Sequence, residues 1–111
     1  MELNGYQKAT KTTAQYPDQG EMGGLLYTVL GLTGESGEVA DKVKKILRDK
    51  QGVLSPQDEL DIVKELGDVL WYVSRCAEEL GYTLEYVAFM NLLKLYDRKG
   101  RGKIKGSGDN R

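Results

Sequence analysis

Two short segments hold the residues best suited to chemistry. Glu35-Ser36-Gly37-Glu38-Val39 and Glu65-Leu66-Gly67-Asp68-Val69 each carry two acids three residues apart, with a glycine before the second acid and a valine after it. On a helix, positions i and i+3 share one face. Leu32 and Val39 flank Glu35, and Ile62 and Val69 flank Glu65, so both acid pairs border an apolar stripe. One such pair is usually a solvated helix face; two matched pairs are the signal. Packed antiparallel, the two helices would bring four carboxylates together from facing surfaces. Like charges in a half-buried site raise one another's pKa, and burial adds to the effect. A divalent cation is the compensation that fits.

The rest of the composition narrows that cation. The chain has 111 residues, no histidine and one cysteine, Cys76. Histidine bases, Ser-His-Asp triads and nitrogen–sulfur zinc sites are excluded. Oxygen ligands remain, and they point to Mg²⁺, with Mn²⁺ as the alternative. A single cysteine forms no intramolecular disulfide, which fits a reducing cytoplasm. Met1-Glu2-Leu3-Asn4 has no signal-peptide pattern, and no apolar run approaches the roughly 20 residues of a membrane span.

The elements that must position these acids are helices. Tyr6, Ala9, Thr13 and Tyr16 predict a short helix within residues 1–17, closed by Pro17. Leu25, Val29, Leu32, Val39, Val43 and Ile46 follow in a repeat of threes and fours, with one gap of seven, predicting a helix from about Glu21 to Lys50, ended by Gly52. Gly31, Gly34 and Gly37 weaken its middle, while Gly37 and Gly67 remove side chains where helices or a ligand approach. Ser55-Pro56-Gln57-Asp58 starts the next helix with a hydroxyl cap, a proline and an acid, and Gly81 closes it. Thr83 caps a last helix, Leu84 to about Lys99, apolar nearly all round. Such a helix in so small a domain implies burial against more than one neighbour, hence self-association. No period-two pattern predicts a strand; the fold class is all-α.

Residues 1–99 form the helical domain, and 100–111 are a basic, glycine-rich tail. From Lys94 onward the chain carries +5, leaving −6 on residues 1–93, so the net charge of −1 conceals an acidic bundle and a basic end. Asn91, Lys94 and Arg98 lie at i, i+3 and i+7 on one helix face. Their plain reading is a core asparagine, which needs a hydrogen-bond partner, beside two solvated cations. Lys42, Lys45 and Arg48 read as salt-bridged or solvated, with Lys45 the one within reach of a phosphate. Trp71 and Tyr72 follow Asp68 and are candidates to stack on a base, although aromatics at helical spacing are more often core. Tyr6, Gln7, Lys8 and Lys11 are placed to close the pocket from the first helix or another subunit.

Glu-x-x-Glu, 26 residues, then Glu-x-x-Asp resembles the motif of the MazG-like all-α nucleoside triphosphate pyrophosphohydrolases. Leu30 to Asp41, Glu65 to Tyr72, Asn91 to Arg98 and the ending Gly106-Ser107-Gly108-Asp109-Asn110-Arg111 are similar to family segments, the last to a bacterial and phage subgroup. The resemblance spans about residues 6–111. It implies a four-to-five-helix bundle completed by homo-oligomerisation, as a dimer or a dimer of dimers. It also implies hydrolysis of a nucleoside triphosphate, NTP or dNTP, to the monophosphate and pyrophosphate. Glu35, Glu38, Glu65 and Asp68 map onto the family's Mg²⁺ ligands, with Glu38 and Glu35 the candidates to position or deprotonate water. Asn91, Lys94 and Arg98 become contacts to sugar or phosphates. The tail becomes a loop folded on or near the active site, bringing Lys103, Lys105 or Arg111 to the phosphates.

Two other classes make different predictions. A non-catalytic nucleotide sensor or oligomerisation module is stabilised by nucleotide without forming product. A nucleic-acid binder uses the basic tail and loses affinity steeply with salt. The absence of aromatics after Tyr96 argues against that partner.

Overall fold

The computed structural model describes residues 1–111 as four helices and no strand. They are α1 (Leu3–Lys11), α2 (Met22–Lys50), α3 (Pro56–Glu79) and α4 (Leu84–Gly100). The helix count is thus the lower of the two expected. α1 stops well short of Pro17. The carbonyls of Ala9 and Thr10 accept both the backbone N–H and the hydroxyl of Thr12 and Thr13 respectively, in tight i to i+3 turns at the helix end.

α2 runs unbroken through its three glycines, and a five-residue loop returns the chain as α3, giving an antiparallel hairpin. Gln51 and Gly52 both adopt left-handed backbone at the turn, with the Gly52 N–H on the Ile46 carbonyl. Ser55 then forms a full capping box: its hydroxyl accepts from the Asp58 N–H, and the Asp58 carboxylate accepts from the Ser55 N–H. Lys50 donates to the same carboxylate at 2.7 Å. These contacts hold the Asp58 carboxyl down at about 2, the lysine being the largest cause.

Close approach of α2 and α3 occurs at Gly31, where a Cβ would fall 2.1 Å from the Tyr72 ring. Gly37 and Gly67, expected to serve that purpose, face open space within the chain. α1 is fastened by polar groups. Gln7 donates to the Tyr82 carbonyl and accepts from the Leu84 N–H, while Asn4 exchanges two hydrogen bonds with Glu85. Thr10, Ser74 and the buried Arg75 join α1 to α3.

α4 departs from expectation. It packs on α1 and α3 but not on α2. Leu84 is buried, yet Phe89, Leu92, Leu93 and Tyr96 are exposed, so the chain does not itself cover the all-round apolar surface. Asn91 is exposed as well and needs no internal partner. The accessible surface is 8051 Å², against roughly 6,100 Å² expected for a compact monomer of this mass. The radius of gyration is 16.8 Å, against about 13 Å for a compact chain of this length. Buried apolar side chains reduce to Tyr16, Ile46, Ala77 and Leu84.

Candidate metal centre

The middle of the α2–α3 hairpin brings Glu35, Glu65 and Asp68 together, with one carboxylate oxygen from each within 4.8 Å of the others. Glu35 and Glu65 are half-buried and Asp68 is exposed. Desolvation pushes the Glu35 carboxyl above its usual range, and the neighbouring Asp68, Glu65 and Glu38 charges add to it, in that order. An octahedral Mg²⁺ with bonds of about 2.1 Å spans about 4.2 Å between opposite oxygens. A hard, oxygen-only donor set of this spacing fits such an ion after a small closure. Glu38 is exposed and lies one turn along α2, outside the three-acid group.

A cleft of about 290 Å³ opens beside the acids, lined by Thr13, Glu35, Asp68, Trp71 and Tyr72. Trp71 stands edge-on to Tyr72 and to Tyr16, and its indole N–H donates to the Thr13 hydroxyl at 2.9 Å. Tyr6 sits near Asp68: burial raises its phenol, and the Asp68 charge raises it further. Tyr72 is raised chiefly by burial, then by Tyr27, Glu35 and Asp68. Tyr6 of α1 feels the Asp68 charge but does not line the cleft, and Gln7 serves as a structural clasp. Thr13 was not anticipated. Its partner lies 58 residues away, a relation that helical periodicity does not encode.

The cations divide among several places. Lys42, on α2, forms an ion pair with Glu65 at 3.5 Å. Lys45 instead pairs with Asp41 at 2.8 Å. Asn91 and Lys94 line a separate apolar groove with Ala77, Leu80, Tyr82, Tyr86, Val87 and Met90. Lys94 also reaches the Asp109 carboxylate at 3.2 Å. Arg98 is buried and donates to the Asp109 carbonyl at 2.7 Å. Arg111 donates to the carbonyls of Lys103, Ile104 and Gly108, and Arg101 to that of Arg111. The tail is therefore a hydrogen-bonded knot at the end of α4, with Lys94, Arg98 and Arg111 engaged in it. Lys94, and then Arg98, hold the Asp109 carboxyl below its ordinary range.

An all-α hairpin presenting paired carboxylates at its centre defines a class of small helical domains with an acidic, oxygen-only site. Residues 23–101, which contain both acid pairs, match the MazG nucleotide pyrophosphohydrolase domain, and the chain belongs to that family. It is also 51% identical over 114 residues to the Gene 37 protein of Mycobacterium phage L5, with both chains covered in full. No solved structure gives a significant match. No helix is long and apolar enough to cross a membrane.

Proposed function

We propose that the protein hydrolyses nucleoside triphosphates, NTP or dNTP, between the α- and β-phosphates, releasing the monophosphate and pyrophosphate. The observation carrying this reading is the convergence of Glu35, Glu65 and Asp68 within the matched family region. Those three residues hold Mg²⁺, or Mn²⁺. When bound, the ion supplies charge to polarise the α-phosphoryl group and to acidify a water. Glu38, one turn from Glu35, accepts the proton of the attacking water, and Glu35 helps to orient that water. Trp71 and Tyr72 border the cleft where a base can stack.

Asn91 and Lys94 contact sugar or phosphates, Arg98 and Arg111 keep the tail beside them, and Lys45 supplies a further cation. The protein works as a homodimer or dimer of dimers. The uncovered α4 face, the excess surface and the large radius of gyration support that assembly. Its place is the cytoplasmic nucleotide pool, in housekeeping or dNTP adjustment.

Incubation of the full chain with Mg²⁺ and a panel of NTPs and dNTPs tests the reading. Pyrophosphate and monophosphate are the expected products. Orthophosphate alone, or no turnover, would contradict it. Stabilisation by nucleotide without product would return the protein to the sensor class.

A further inference from the structure

Glu65 has one cationic neighbour within ion-pair distance, Lys42, reaching across from α2 at 3.5 Å. The pair is partly shielded, with side-chain exposures of 38% for Lys42 and 19% for Glu65. The other paired cations of α2 are directed elsewhere. Lys44 and Lys45 pair with Asp41, Arg48 with Asp49, and Lys50 with Asp58. Lys42 lies seven residues from Glu35, two helical turns along the same face of α2. The proposed reaction assigns it no part.

We propose that Lys42 is the resident counter-cation of the acidic triad, holding Glu65 in the metal-free protein and setting how tightly a divalent ion binds. This rests on the reading that the triad holds a metal. A carboxylate engaged by an ammonium must exchange that partner for the incoming ion. An ammonium left nearby then repels a dication, at a separation where Coulomb energies are substantial even in a partly solvated site. Lysine suits such an exchange: its charge is compact and well hydrated, and its four-carbon stem lets it swing into solvent. In the metal-free state the same contact ties α2 to α3 beside three mutually repelling carboxylates. Lys42 is thus a positioning residue acting through Glu65.

Calorimetric titration of Mn²⁺ and Mg²⁺ into the full-length protein tests this, comparing wild type, Lys42→Met and Lys42→Arg. Removing the competing charge should tighten Mn²⁺ binding by about threefold to tenfold, while Lys42→Arg stays near wild type. The metal-induced rise in melting temperature should also be larger for Lys42→Met than for wild type. A merely structural lysine would lower stability equally with and without metal. Unchanged or weaker binding in a folded Lys42→Met overturns the proposal while leaving the metal site intact. Wild-type protein that takes up neither ion overturns both. Lys42→Gln, which keeps a polar side chain, provides the same comparison if the methionine variant does not fold.

Discussion

In the α2–α3 hairpin, three carboxylates from two helices come within 4.8 Å inside one chain. In α4 and the tail, Phe89, Leu92, Leu93 and Tyr96 lie uncovered, and Lys94, Arg98 and Arg111 are engaged by the tail itself. The first region is assembled by local rules: a capped five-residue turn, an antiparallel return and matched acid spacing. The second is apolar on sides that nothing in the chain covers. Intrachain packing therefore accounts for the acidic site but leaves the α4 surface uncovered. The groove holding Asn91 and Lys94 lies near the C-terminal end of α3, two to three turns beyond Asp68 along that helix.

The largest effect should come from the hairpin. Glu65→Gln or Asp68→Asn should lower kcat/KM at least about 100-fold with an unchanged helical circular dichroism spectrum, since even outer-shell changes at metal sites cost 10–100-fold. Substantial activity in either variant would remove the triad from the reaction. On the other side of the comparison, Leu93→Lys or Phe89→Asp should shift the sedimenting species to monomer. A mass unchanged by both substitutions would show that α4 is not the interface.

A third test uses pH. Because Glu35 binds its proton above the usual glutamate range, protons compete with the ion at milder acidity than at an ordinary carboxylate. Metal affinity should fall as pH drops through that raised pKa. For the metal-free fold the sign is opposite: ionised Glu35 is unfavourable, so stability rises as pH falls through the same range. Glu35→Gln should accordingly raise the metal-free melting temperature at neutral pH while abolishing most of the activity. A lowered melting temperature there would contradict the charge assignment.

The smallest effect concerns the turn that sets the hairpin's register. Ser55→Ala should cost about 1 kcal/mol in urea unfolding, the usual worth of an N-cap. The Asp58 half of the box has the depressed pKa of an acceptor, near 2. Its stabilisation is present above the ordinary aspartate pKa and is lost as pH falls toward 2. Asp58→Asn should therefore matter at neutral pH and little in strong acid.

The sequence made the hairpin legible because its signals are local. Ser55 and Asp58 specify a cap three residues apart, and Glu35, Glu65 and Asp68 sit at helical spacing beside apolar stripes. Contacts between residues distant in the chain are not encoded in local spacing. Thr13 meets Trp71 across 58 residues. Gly31, rather than Gly37 or Gly67, admits a close neighbour, because Tyr72 happens to face it. The periodicity of α4 announced an apolar surface on every side, but which surfaces would cover it is not written in the spacing of one helix. The first helix ends at Lys11, in threonine turns ahead of Pro17, an end that the proline alone does not mark.

Hydrolysis in ¹⁸O-enriched water tests the central claim most directly, with the position of the label read by ³¹P NMR. Attack of water at the α-phosphoryl group, supported by the acids of the α2–α3 hairpin, predicts ¹⁸O in the nucleoside monophosphate and none in the pyrophosphate. Label in pyrophosphate, or release of labelled orthophosphate in its place, would contradict the account.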